Sequence, residues 1–264
     1  MICIRRVNYS ALDWTLEFDE LYSPSMAFES IQLITFDCYG TLIDWETGML
    51  ASLRPLFSRD GRQVPDAQLL ELYGEIEAEL ETGPYLPYRQ ILSQTAQAMG
   101  RRLGMEVSTA SASEFAESLL LWEPFADTVA GLRALAKHFR LGIISNIDDD
   151  LFSVTQKKLQ VEFDLIVTAQ QVKSYKPSLR NFQEALRRSN LKKEQILHAA
   201  QSVYHDIVPT NALGIMNVWV NRPSVRPNTG AAKPAVARPS FEMRSIAELA
   251  ALVAPSGKGA YGAN

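Results

Sequence analysis

Residues 31–45 read IQLITFDCYGTLIDW, and no other stretch limits the fold of this chain as strongly. Ile31, Leu33, Ile34 and Phe36 form a short apolar run, broken at Gly40, with the composition of a buried strand. Asp37 stands at the exit of that strand. In an α/β sheet this is the place where ligands bind, in the crevice outside the carboxyl ends of the strands. An Asp shortly ahead of a Gly is also ordinary turn chemistry, so this stretch alone leaves Asp37 open between turn residue and functional carboxylate.

The pattern of the remaining chain explains how such a strand is used. Helical spacing runs through residues 45–57, 66–80, 88–103 and 111–121, with Leu69, Leu70, Tyr73, Ile76 and Leu80 on one face of the second, and no strand signal interrupts them. Gly83-Pro84 and Pro87 bend the block in its middle. From Trp122 onward, helices at 128–138, 149–159, 179–188 and 207–213 alternate with strands at 141–144, 165–168, 196–200 and 217–220. Such alternation predicts βαβ units and a parallel sheet covered on both faces. The expected organisation is a sheet core of residues 27–46 and 122–254 carrying a helical insertion at 47–121. Residues 1–26 read as an appendage, with Met26 a natural start for the core, and residues 255–264 read as a Gly-rich flexible tail. Residues 222–239 read as an irregular loop and 245–253 as a closing helix.

Charge and composition exclude several classes of function. The net charge is −4, without the clustered Lys and Arg that a nucleic-acid or membrane-surface footprint needs. No apolar run approaches the roughly 20 residues of a spanning helix, and no basic-then-apolar leader opens the chain, so a soluble, cytoplasmic protein is expected. The two cysteines, Cys3 and Cys38, are placed unfavourably for a structural disulfide, and Cys38 reads as a packing residue.

Consecutive parallel strands bring their exits to one edge. Those exits carry Asp37, then Ser145 and Asn146, then Lys176, then Gln201, Ser202 and Asp206. Helix capping and surface charge would explain each one singly; their recurrence at successive strand ends favours a common cleft. His138, His198 and His205 show no ligand or triad spacing and read as structural or exposed.

The strings FDCYGT at 36–41, ISN at 144–146, YKP at 175–177 and AQSVYHD at 200–206 resemble the haloacid dehalogenase superfamily of hydrolases. That resemblance implies an α/β fold, a Rossmann-like parallel-sheet core with an inserted helical cap domain. It implies Asp37 as nucleophile, Lys176 as its electrostatic partner, Thr41 and Ser145 holding the reacting group, and Asn146 lining the pocket. Asp206 either places the hydrolytic water or holds Lys176. An ammonium beside the nucleophile favours the charged carboxylate that attack requires, and an enzyme-bound ester divides one hard displacement into two easier ones.

Phosphatases of this superfamily carry a second aspartate where this chain has Tyr39, and a magnesium-binding aspartate where it has Gln201. A neutral amide is a poor ligand for a hard dication. The Asp-x-Tyr-Gly-Thr form of the first motif resembles instead the L-2-haloacid dehalogenase branch, implying conversion of a small 2-haloalkanoic acid to a 2-hydroxy acid with no metal and no cofactor, often by a homodimer. A magnesium-dependent phosphatase using Asp206, or an anion-binding protein without turnover, are the rival readings. That branch places a halide-receiving arginine on the first long cap helix, where this chain has Tyr73 or Gly74 among Glu71, Glu75 and Glu77. Arg89 is therefore expected to receive the anion, with Tyr85, Tyr88 and Tyr39 lining the pocket. Phe182 replaces a tyrosine of the branch, which removes one hydroxyl.

Overall fold

In the computed structural model, which describes residues 28–59 and 62–253, the strand β1 (Leu33–Phe36) is buried along its whole length at the middle of the molecule. The expected appendage and tail lie outside the described residues. From β1 the chain runs through α1 (Trp45–Leu56), a hairpin of β2 (Ser58–Arg59) and β3 (Arg62–Gln63), then α2 (Asp66–Glu81), α3 (Tyr88–Leu103) and α4 (Thr109–Glu117). It returns to alternation with α5 (Thr128–Leu135), β4 (Arg140–Ser145), α6 (Asp149–Leu159), β5 (Leu165–Thr168), α7 (Ala169–Val172), α8 (Leu179–Ser189), β6 (Ile196–Ala200), α9 (Val208–Leu213), β7 (Met216–Val220), β8 (Phe241–Met243) and α10 (Ile246–Val253).

The six-stranded sheet has the order β5-β4-β1-β6-β7-β8, with every pairing parallel. β1 therefore stands where the strand order reverses, with β4 on one side and β6, reached only after β5, on the other. Its carboxyl end opens onto the crevice at this switch point. The burial of β1, β4 and β6 follows from helices on both sheet faces, which is why their sequences are apolar without alternation. Among the described residues no helix is long and apolar enough to cross a membrane.

Two features depart from the sequence reading. The insertion contains the two-residue strands β2 and β3, too short to leave a periodic signal. The sheet gains an edge strand, β8, paired to β7 just after the irregular stretch at 222–239; three residues give no alternation to detect.

The insertion and the irregular stretch interlock at Gly74 on α2. A Cβ built there would collide with the backbone oxygen of Ala231, so only a hydrogen at this position lets the two segments touch. A backbone obstacle cannot rotate away as a side chain can. Gly74→Ala should destabilise the protein by about 1–3 kcal/mol in denaturant unfolding, the scale of overpacking, despite Ala's better helix propensity. An unchanged or raised midpoint would show that the segments can part without loss.

Candidate functional site

The turn after β1 delivers the first two groups. Leu42 and Ile43 N–H both donate to Cys38 O, and Gly40, at φ +89°, takes the left-handed conformation that the reversal needs. This folds Thr41 back, so that its hydroxyl donates to Asp37 Oδ2 at 2.8 Å while accepting from Gln201 N–H at 2.8 Å. Asp37 N–H donates to Ala199 O, tying the turn to β6.

Lys176 arrives from the loop after α7. Asn146, at the exit of β4, clamps that loop: its Oδ1 accepts from Lys176 N–H at 2.7 Å and its Nδ2 donates to Lys176 O at 3.1 Å. The ammonium then donates to Asp37 Oδ1 at 2.8 Å, Ile144 O at 2.9 Å and Asp206 Oδ1 at 2.7 Å. Its three protons are thus all used. Lys176 is only 1% exposed; burial opposes its charge, but Asp206 and Asp37 outweigh burial and hold its pKa above the ordinary lysine value. Asp206 is fully buried, and its carboxyl is held low: burial opposes ionisation, but Lys176 and His198 prevail.

His198 on β6 bonds Asp206 Oδ1 through Nε2 at 3.0 Å and Thr35 through Nδ1 at 2.9 Å, so this histidine is a structural orienter. Among the described residues Asp206 Oδ2 has no hydrogen-bond partner, although it is buried. Cys38 is a buried free thiol; burial first, then Asp37, push its pKa up, which suits the packing role expected of it.

Asp37, Ser145, Asn146, Lys176 and Asp206 line one cleft, together with Tyr39, Gln201 and Ser202. The hydroxyl of Tyr39 is bonded to Thr155 on α6 at 2.8 Å. Tyr88 reaches the cleft from the insertion, but Tyr85 does not: it stacks on Tyr175 and lines a neighbouring cavity.

Arg89 corrects the sequence reading most plainly. Its guanidinium pairs with Glu117 and Asp150, its side chain is 35% exposed, and it is absent from the cleft lining. Tyr88 and Arg89 are consecutive at the start of α3, and neighbouring helical residues point about 100° apart, so a helix that turns Tyr88 inward turns Arg89 out. The start of α3 is fixed there by Asp148, whose two carboxylate oxygens accept from the backbone N–H of Tyr88 and Arg89.

Instead of an arginine, the insertion presents acids. Glu77 and Glu81, one turn apart on α2, both line the cleft. Glu77 accepts from the hydroxyls of Tyr73 at 2.6 Å and Tyr88 at 2.5 Å, and burial, then the nearby Glu81, push its pKa from 4.5 to about 7. Glu81 accepts from Asn146 Nδ2 at 3.0 Å and lies 3.3 Å from His205 Nε2. His205, read as structural or exposed from sequence, is a cleft residue; burial opposes its protonation, but Glu81 raises its pKa above the usual value. Trp45 completes the wall. The i,i+4 spacing of Glu77 and Glu81 is visible in sequence as a helical face, but not which way that face turns.

These residues do not fit the magnesium ion that many members of this fold family use. Gln201 stands where the family resemblance puts a magnesium-binding aspartate and its amide donates to Thr229 O at 3.1 Å, while Asp206 Oδ1 is engaged by Lys176 and His198. Among the described residues no group of three or more His, Cys, Asp or Glu is placed to ligate a metal ion.

Residues 34–220 match the haloacid dehalogenase-like hydrolase family. An (S)-2-haloacid dehalogenase of Pseudomonas putida is 25% identical over 229 residues, 84% of this chain and 96% of that protein. Among solved structures, L-2-haloacid dehalogenase from Xanthobacter autotrophicus with chloropropionic acid covalently bound superposes with a TM-score of 0.72 at 18% identity, covering 86% of this chain and 99% of that one. The HAD-hydrolase YfnB from Bacillus subtilis bound to magnesium superposes with a TM-score of 0.69 at 19% identity, covering 84% and 98%. At such identities the structural likeness carries the fold.

Glu77 makes stability depend on pH in a defined direction. Between its unfolded value of 4.5 and its folded value of about 7, the native state binds more protons than the unfolded chain, so this residue's contribution is fully present below 4.5 and is lost as pH rises through 7. Glu77→Gln should flatten the fall in unfolding free energy between pH 5 and 8 in parallel denaturation series. Equal slopes for the two proteins would mean that Glu77 titrates normally.

Proposed function

This chain belongs to the haloacid dehalogenase-like hydrolases, and from that premise we propose that it hydrolyses the carbon–halogen bond of a small 2-haloalkanoic acid, without a metal, through an ester on Asp37. The observation that carries this reading is the buried Lys176 ammonium bridging Asp37 and Asp206. Lys176 and the Thr41 hydroxyl hold the Asp37 carboxylate toward the cleft, where it attacks C2 of the substrate; the carbon–halogen bond breaks and halide departs as a stable anion. No proton is needed by that leaving group, consistent with Tyr39 at the position where a phosphatase keeps its acid.

Water then attacks the ester carbonyl, the bond to the substrate oxygen breaks, and the 2-hydroxy acid leaves as Asp37 is regenerated. The two oxygens of Asp206 divide the roles left open by sequence. Oδ1 holds Lys176, and Oδ2, which has no hydrogen-bond partner among the described residues, is available to take a proton from that water. Ser145 and Asn146 flank the substrate from the end of β4. The bond from Asn146 to the Lys176 loop makes Asn146 also the residue that sets the ammonium's position.

Halide release from 2-chloropropionate by the full chain should survive a chelator, and Asp37→Asn should lower it by about a thousandfold or more. Phosphate release from a generic phosphate ester that a chelator abolishes, with no halide release, would instead establish the magnesium-dependent reading.

A further inference from the structure

A haloalkanoate brings its own negative charge into a cleft that already holds Asp37, Asp206, Glu77 and Glu81. Lys176 cannot receive it, because its three protons are spent, and Arg89 faces outward. Two cleft donors, the Asn146 amide and the His205 ring, already have a carboxylate between them. Glu81 Oε1 accepts from Asn146 Nδ2 at 3.0 Å, and Oε2 lies 3.3 Å from His205 Nε2 without the alignment of a hydrogen bond. The Glu81 side chain is 3% exposed, although Glu81 is the last residue of α2 and the chain turns to solvent at Thr82.

The other ring nitrogen of His205 is tied to Ser202 Oγ at 3.1 Å, which fixes Nε2 toward the cleft. Nε2 and Glu81 Oε2 thus face each other as a buried ion pair that falls short of hydrogen-bond geometry, a contact that an incoming carboxylate on Nε2 can replace. Beside Glu81 lies a second cavity, lined by Lys173 and Arg180 and sharing Glu81 and Lys176 with the cleft. The cations lining that cavity would attract an anion and would offer Glu81 charge to face once it left the cleft.

We propose that Glu81 is a built-in occupant of the substrate-carboxylate subsite, that His205 Nε2–H with the Asn146 amide receives that carboxylate, and that a haloacid binds by displacing Glu81 toward the neighbouring cavity. This rests on the haloacid reading of the reaction and adds the residues that set its specificity. Substrate affinity is then a competition between two carboxylates for one pair of donors. Charged acceptors bind a donor about twice as strongly as neutral ones, so neutralising the internal competitor favours the external one.

Propionate, the substrate without its halogen, tests this in binding titrations on the full chain, and its result does not depend on any chemistry at Asp37. Glu81→Gln should tighten propionate binding about tenfold, His205→Gln should weaken it about tenfold, and in the double variant the gain from Glu81→Gln should largely vanish, as for residues acting on one site. Unchanged or weaker propionate binding in Glu81→Gln would overturn the proposal. So would ethylammonium binding to the wild-type chain that Glu81→Gln abolishes, because Glu81 would then be the partner of a cationic substrate. Should His205→Gln fail to fold, the direction of the change in Glu81→Gln decides alone. Propionate competition as expected, but with no halide release from 2-chloropropionate, would uphold the subsite and refute the reaction.

Discussion

Everything at the cleft depends on one ammonium sharing three buried acceptors. Lys176 lies where burial alone would discharge it, and it stays charged because Asp37 and Asp206 sit on either side. Removing a partner from such a group leaves an uncompensated buried charge, which costs about 3–5 kcal/mol. The surroundings accordingly over-determine its place: Asn146 clamps its backbone at both polar atoms, Ile144 O takes the third proton, and His198 pins Asp206 from behind. An array so completely bonded can orient a nucleophile, but it has no donor left over for an incoming anion. That exhaustion shifts the question of substrate recognition to the insertion.

The insertion answers with acids and tyrosines. Glu77 is bonded by two phenols and, at a pKa of about 7, is poised between neutral and charged; Glu81 leans on Asn146 and His205. The contacts of Glu81 tie the end of α2 directly to Asn146 after β4 and His205 after β6, beside the strand exits that bring Asp37, Lys176 and Asp206 together. Charge on the insertion and charge on the core are thus coupled across the cleft, and a ligand that alters one must alter the other.

The sheet and its strand-end residues are legible in the sequence because parallel strands obey a rule that needs no knowledge of packing: their exit loops all gather at one edge. Asp37, Asn146, Lys176 and Asp206 are found together for that reason. The insertion obeys no such rule. A helical face can be read from spacing, as with Leu69, Tyr73, Ile76 and Leu80, but whether its polar edge looks to solvent or into a cleft depends on how the helices dock. Glu77 and Glu81 are hidden by this, and Arg89 is misplaced by it, one residue away from the inward-facing Tyr88. His205 gives no signal because its partner, Glu81, is distant in sequence, on a helix that only the fold brings near.

A covalent bond between Asp37 and the substrate is tested most directly by one turnover in heavy-oxygen water with enzyme in excess, followed by mass spectrometry of the peptide containing Asp37. An ester cleaved by attack at its carbonyl leaves the heavy atom in the Asp37 carboxylate and ordinary oxygen in the 2-hydroxy acid. Label found in the product alone, with Asp37 unlabelled, would mean that water attacks the substrate directly and that this carboxylate is no nucleophile.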